Sequence, residues 1–294
     1  MKRTIPLLAT TMTLALLLVV GGVAVSQQRQ ELSTSSHSST ASDKSSGDVS
    51  IQSTTVKASF VSGTGADFLG VKVSNHGNLL SFESPAGQEA VFTGREGYAL
   101  CSGPSTVNGH DTGGVEEGFG TPKFKQPNPG KFPLTITRKT TDGQLQLKQV
   151  WSKPDAIEKD VTLTITVKNI SSGPIPDVDL ARSGDFDVGT SGQDQGAGTN
   201  DSVWQWDDLS RANSEPTPGG VMLTALTLGT PHAVRVESRD NWDPPTLGGT
   251  REQCTAAGAA TPTSVQDLVM RAVYFLGDFS AGQSKTVKLE YGRM

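Results

Sequence analysis

Cysteine is almost missing from this 294-residue chain, which has 2. That excludes a dense disulfide scaffold, a four-cysteine zinc site and a cysteine-held cluster. Positive charge is also scarce: 25 Lys and Arg stand against 30 Asp and Glu, a formal net charge of −5. No basic block occurs, so the chain lacks the footprint of a nucleic-acid binder. Hydrophobic residues make up 34% and aromatics 6%. After Ser50 no segment carries a sustained i, i+3, i+4 apolar stripe with caps, which argues against a helical bundle. Also missing are a G-x-S-x-G elbow, a G-x-x-x-x-G-K-[ST] loop, a G-x-G-x-x-G after a strand and an H-E-x-x-H pair. Elbow-type serine hydrolases, P-loop NTPases, dinucleotide-dependent enzymes and H-E-x-x-H proteases lose their support.

What is present begins at the amino terminus. Lys2 and Arg3 precede an apolar run over residues 5–25, with LALLLVVGGVAV at its centre. Charge followed by hydrophobe is the order read by export machinery. Small residues allow cleavage after Ser26 or Ala24, which makes residues 1–26 a signal peptide. The run also approaches the roughly 20 residues that span a bilayer, so an uncleaved signal-anchor is the other reading. No Cys follows, which excludes anchoring through an acylated cysteine. Residues 27–50 are dominated by Ser and Thr, and no large apolar residue falls between Leu32 and Val49. Such a segment cannot offset its chain entropy by burial and is expected to be a disordered linker. The chain is therefore expected outside the cytosol: secreted, periplasmic or at the cell surface, with membrane contact only through an uncleaved amino terminus.

Residues 51–294 read as strand after strand. Short apolar or alternating runs occur at 56–60, 68–74, 79–83, 98–101, 134–138, 177–181, 221–228, 233–237, 269–276 and 286–291. The strongest are QLQLKQVW at 144–151 and VTLTITVK at 161–168, both with period two. That period puts one face on a core and the other toward water. Turn chemistry separates the runs at residues 75–77, 142–143, 171–174 and 281–282, and Asp142-Gly143 predicts a hairpin. The expectation is an all-β domain over 51–294, a large antiparallel β-sandwich of two stacked sheets. Cys101 and Cys254, in an oxidising compartment, are expected to form a disulfide closing a loop of about 150 residues and contributing on the order of 4 kcal/mol.

Three stretches carry chemistry. In Arg182 to Asp201, Asp185 and Asp187 have the spacing of first calcium ligands, and Asp194 and Asp201 follow in a Gly-rich segment able to wrap an ion with carboxylate and carbonyl oxygens. An EF-hand is excluded, because Gly189 and Gly196 stand where it needs acidic residues. The alternative is an acidic turn in which Arg182 pairs with Asp185 or Asp187. In SVWQWD, Trp204 and Trp206 share one side of a strand and form a stacking platform for sugar rings or part of the core, with Asp207 to hold hydroxyls. In NGHDTGGVEEGFG, read as a long loop, His110 beside Glu116 and Glu117 has the makings of an acid–base set. A carboxylate from there facing Asp185 or Asp187 at roughly 5–9 Å would be a glycosidase pair. The alternative is a solvated polar loop. His76 and His232 read as structural, in a turn and at a strand start.

The segments VTLTITVKNISSGPIPDVDL and LGDFSAGQSKTVKLEY resemble those of bacterial extracytoplasmic β-sandwich domains. These include large mutarotase-like sandwiches, of supersandwich kind, and adhesive or carbohydrate-binding modules. The resemblance lies in strand-and-turn style and transfers no site residue. Three functional readings follow. The first is an exported sandwich that binds a ligand, with carbohydrate favoured and a polysaccharide or cell-envelope component as partner. The second is a sugar-acting enzyme, hydrolase or epimerase-like, using His110, Glu116 or Glu117 with Asp185 or Asp187. The third is a cell-surface structural module without a small ligand. None requires a cofactor, and calcium is the one ion for which the sequence offers a place.

Overall fold

Period-two alternation explains most of the strands in the computed structural model. It describes residues 50–51, 55–91, 96–104, 106–112, 115–186, 194–199, 201–207, 220–238, 254 and 268–293. The strands are β1 (Ser50–Ile51), β2 (Val56–Ser62), β3 (Leu69–Ser74), β4 (Leu79–Glu83), β5 (Glu96–Ser102) and β6 (Thr106–Thr112). They continue as β7 (Val115–Glu117), β8 (Lys123–Lys125), β9 (Leu134–Lys139), β10 (Leu145–Trp151), β11 (Asp160–Asn169) and β12 (Ile175–Asp185). The last six are β13 (Asp194–Gly198), β14 (Ser202–Asp207), β15 (Val221–Ala225), β16 (His232–Ser238), β17 (Leu268–Phe279) and β18 (Ser284–Arg293). Among the described residues there is no α-helix; one 3-10 turn spans Gly65–Asp67. Residues Ser46–Met294 form one unit.

Two antiparallel sheets make the sandwich. The 7-stranded sheet has the order β1-β7-β6-β5-β12-β17-β16, and the 8-stranded sheet β13-β14-β15-β18-β11-β10-β9-β8. A third, 3-stranded sheet, β2-β3-β4, contributes Ala58, Leu69, Val71, Val73, Leu79 and Phe82 to the same core. Leu100, Leu180 and Tyr274 of the seven-stranded sheet share that core with Leu147, Leu163 and Leu289 of the eight-stranded one.

The expected turns are in place. Asp142-Gly143 closes the β9–β10 hairpin, with Gly143 at φ 71°. The Thr140 hydroxyl donates to Asp142 Oδ1 at 2.5 Å, and the Gln144 N–H donates to the same oxygen at 2.9 Å. The NGHDTGGVEEG stretch is not the long loop that its glycines suggest. It supplies β6 and β7, paired from His110↔Glu117 to Thr112↔Val115. Cross-strand pairing inside a sheet outweighs the weak strand propensity of these residues. The Gly-rich Asp194–Gly198 is likewise a strand, paired with β14. Ser50 opens β1 rather than ending the linker. Residues 1–26, 27–49 and 187 lie outside the described residues, so the export segment, nearly all of the linker and Asp187 receive no structural description.

The two sheets treat their outer faces differently. On the eight-stranded sheet, Thr162, Thr164, Thr166 and Lys168 alternate outward against buried Val161, Leu163, Ile165 and Val167. On the seven-stranded sheet both faces are covered. Every residue of β5 is buried, as is β12 from Val178 to Asp185. Cys254, bridged to Cys101, lies over the outer face beside Ala99, Val107, Ala181 and Val273.

Candidate functional site

Registers across the seven-stranded sheet define what its outer face holds. One row runs Glu117–His110–Ala99–Ala181–Val273–Ala233. The next runs Gly97–Ser183–Arg271–Arg235, and Asp185, Val269 and Glu237 align beyond it. The middle of the face is thus paved with small residues, Gly97, Ala99, Ala181 and Ser183. His110 and Glu117 flank one side, and Arg271, Arg235 and Glu237 the other. Three strand spacings and two residues separate His110 from Arg271, roughly 16 Å between backbones.

His110, Arg271 and Glu237 are buried and carry atoms without a hydrogen bond. His110 is 0% exposed; its Nε2 stands 3.5 Å from Glu117 Oε2, and neither ring nitrogen has a hydrogen-bond partner. Burial pulls the His110 pKa below its ordinary value, against the opposing pull of Glu117. The ring is therefore neutral at pH 7 and offers one donor and one acceptor. Arg271 is 2% exposed. Its Nη2 lies 2.7 Å from Glu237 Oε1 without hydrogen-bond alignment, so Nε, Nη2 and Oε1 all lack such a bond. Glu237 Oε2 also stands 3.4 Å from Arg235 Nη2. Burial lowers the Arg271 pKa, with Glu237 opposing.

The inner face of the same sheet shows the contrast. Arg182, in register with Ala272 next to Arg271, turns inward. Its Nε and Nη2 both donate to the Glu96 carboxylate, Nη2 to Oε2 at 2.6 Å. Its Nη1 donates to Gln149 Oε1 at 2.6 Å, and Tyr291 donates to Glu96 Oε1 at 2.6 Å. This network runs into a second one. Arg138 bridges Asp111, through Nη1 at 2.8 Å, and Glu116, while His76 Nδ1 lies 3.0 Å from Asp111 Oδ2 and 2.7 Å from Glu116 Oε2. The carbonyls of the His76-Gly77 turn accept from Tyr98, Gln149, Trp151 and Arg182. Each cation here already has its anion.

Among the described residues, His76, Asp111 and Glu116 are the one His/carboxylate group gathered tightly enough to hold a metal. Burial alone would lower the His76 pKa; the Asp111 and Glu116 carboxylates outweigh it and raise it to about 9. The imidazolium and the Arg138 guanidinium therefore neutralise the two carboxylates. A divalent cation would first have to displace the His76 proton and would then, with Arg138, set three positive charges against two negative ones, so the set fits a metal poorly and works as an internal lock.

The residues singled out in the sequence separate accordingly. His110 and Glu117 lie together on the outer face, whereas Glu116 points inward to Arg138, as period two requires. Asp185, buried at the end of β12, shares the outer face with Glu117. Three strand spacings and four residues put their backbones roughly 20 Å apart, beyond the roughly 5–9.5 Å of a glycosidase pair. Arg182 pairs with Glu96 rather than with Asp185. Asp194 opens β13 opposite Asp207, while Asp201 sits exposed beyond its far end, 2.9 Å from His232 Nε2. Asp194 and Asp201 thus stand at opposite ends of the β13–β14 hairpin. Trp204 and Trp206 occupy the β14 positions alternate to buried Val203, in register with Ala197 and Gln195. The disulfide joins Cys101 to Cys254, Cα–Cα 6.1 Å. Sequence reasoning passed over Arg271, Arg235 and Glu237. The only signal was charged residues inside the runs HAVRVE and LVMRAVYFL, where an ordinary core strand has none.

No family model matches the sequence, and no curated protein does. Solved structures do match in fold. A bacterial glucoamylase complexed with acarbose aligns over 86% of this chain and 34% of its own, at 9% identity and TM-score 0.54. A heparan sulfate lyase mutant from Pedobacter heparinus aligns over 81% of this chain and 36% of its own, at 8% identity and TM-score 0.44. A polysaccharide lyase aligns over 83% and 33%, at 10% identity and TM-score 0.40. The chain spans about a third of the length of each. The glucoamylase likeness places the chain among β-sandwiches of that architecture.

Proposed function

We propose that this protein is an extracytoplasmic carbohydrate-binding β-sandwich whose ligand face is the outer face of the seven-stranded sheet. One observation carries the reading. Both nitrogens of His110, Nε and Nη2 of Arg271 and Oε1 of Glu237 are buried without hydrogen bonds, on one face, around a floor of small residues. Buried polar atoms are seldom left unbonded, and such a collection calls for a polar ligand. Sugars answer it, because their hydroxyls both donate and accept. The glucoamylase of similar fold was crystallised with acarbose, which fits the ligand class. The Cys101–Cys254 bridge fits an oxidising compartment.

Affinity electrophoresis of the full chain through gels containing neutral, uronate-bearing or sulfated polysaccharides tests the reading. Retardation by at least one polymer is expected. It should be lost in His110→Ala and Glu237→Gln variants that keep the wild-type circular dichroism spectrum. No retardation by any polymer overturns the proposal. So does undiminished retardation of both folded variants, and if Trp204→Ala with Trp206→Ala abolishes it instead, the ligand belongs on β14.

A further inference from the structure

The outer face of the eight-stranded sheet gathers positive charge in a chain whose net charge is −5. Its outward positions hold Lys123 and Lys125 of β8, Lys139 of β9, Lys148 of β10 and Lys168 of β11, all exposed except the half-buried Lys168. No two are adjacent in sequence; strand pairing brings them together. The registers set them out as a checkerboard. One row runs Lys123–Thr137–Lys148–Thr166–Thr286, and the next Lys139–Gln146–Lys168–Ser284. Lys148 therefore has Lys139 and Lys168 at roughly 8 Å and Lys123 at roughly 10 Å between backbones.

These charges have no counter-charge of their own. Among the described residues the one lysine–carboxylate ion pair joins Lys159 to Asp67. The outward carboxylates of the sheet, Asp160 and Glu290, lie at the other end of β11 and β18, with Lys288 beside Glu290. Asp142, in the β9–β10 turn, accepts from Asn108, Thr140 and the Gln144 N–H. A solvated surface ordinarily mixes both signs. Edge strands carry lysine to stop pairing with another sheet, which accounts for Lys123 and Lys125 in β8. It does not reach Lys139, Lys148 and Lys168, whose strands have neighbours on both sides. Spaced at about a Debye length, these cations repel one another, and an external polyanion relieves that repulsion.

What lies between the lysines selects the polyanion. Thr135, Thr137, Gln146, Thr166 and Ser284 offer hydroxyls and an amide, and Val150 is the one outward apolar side chain on β8–β11 among the described residues. A membrane surface is met by apolar side chains that enter it beside the cations, and single-stranded nucleic acid by aromatic platforms. This field has neither. Hydroxyls and amides match the hydroxyls of a sugar chain, while the lysines take its carboxylates or sulfates.

We infer that the outer face of β8–β11 docks an anionic polysaccharide, at a site separate from the ligand face of the other sheet. Affinity of the full chain for a sulfated polysaccharide, a polyuronate, a neutral glucan and vesicles of anionic phospholipid tests the inference. Binding to at least one anionic polymer, weakening as salt rises, is expected. Lys148→Gln with Lys168→Gln should weaken it about tenfold or more. Lys72→Gln with Lys153→Gln removes the same charge from exposed lysines elsewhere and should change it less than about twofold. Lys139→Gln with Lys148→Gln replaces the first pair should that pair not fold. His110→Ala should leave anionic binding unchanged, and the first lysine pair should leave neutral-glucan binding unchanged, so the two faces stand or fall separately. Equal weakening by the face pair and the control pair overturns the inference, because general charge then accounts for the binding. Binding to neither anionic polymer overturns it, as does tighter binding to the vesicles than to either polymer.

Discussion

His76 shows how much one side chain carries here. It sits 7% exposed in the turn between β3 and β4, with two carboxylates on one ring nitrogen. Its pKa rises from 6.5 to about 9 because those carboxylates outweigh burial. A raised folded-state value means that protonation favours the folded state. The contribution is complete below pH 6.5, falls as pH rises toward 9 and is gone above it. Its ceiling is on the order of 3 kcal/mol. Denaturant midpoints measured from pH 6 to 10 should therefore drop through this window in the wild type, and the drop should be absent in His76→Gln. An equal drop in the variant would place the titration elsewhere. His110 goes the other way, lowered by burial with Glu117 offering weak compensation. The same residue type thus serves as a charged lock on the inner face and as a neutral donor–acceptor on the outer one.

At the scale of elements, the period of two sorts the chemistry. Glu116 and Glu117 are neighbours in sequence, yet one enters the lock and the other the outer face. Had β7 been the loop expected from its glycines, both could have reached one cleft. The strands at 144–151 and 161–168 were legible because apolar residues alternate with Thr, Lys and Gln there. β6, β7 and β13 were not, because His, Asp, Glu and Gly have weak strand propensity and form strands when neighbours supply the hydrogen bonds. The β3–β4 turn is a sharp test of local constraint. Gly77 has φ 92°, and a Cβ there would stand 2.5 Å from Gln149 Nε2, inside the polar network. Gly282 has φ 76° with open space around it. Gly282→Ala should cost about 1 kcal/mol, the backbone strain alone. Gly77→Ala should cost about 3 kcal/mol or more, because strain adds to a broken buried network. Urea unfolding of the two variants measures the difference, and equal midpoints would show that the turn does not grip the interior as described.

The whole molecule is asymmetric about its core. The eight-stranded sheet shows water a face of Thr and Lys, whereas the seven-stranded sheet buries both faces. The disulfide enforces that burial by holding Cys254 across the floor at Ala99 and Ala181, closing a separation of 153 residues. Loop-closure entropy assigns such a bridge about 5 kcal/mol. Cys101→Ser with Cys254→Ser should lose about that much in guanidinium unfolding and, on the carbohydrate reading, lower sugar affinity as the ligand face loses its cover. A double variant as stable as the wild type would mean that the sheet holds its outer face without the bridge.

Composition and alternation by themselves determined an all-β sandwich, its hairpins and the pairing of its two cysteines. These properties depend on near neighbours or on there being a single partner to choose. Which charged residues meet was decided only by tertiary structure. Arg182 joins Glu96 across 86 residues, and Arg271 comes to stand beside Glu237. Strand order, not spacing along the chain, sets those distances. The face on which a charge is buried depends on which strand lies next to it, and no local pattern records that.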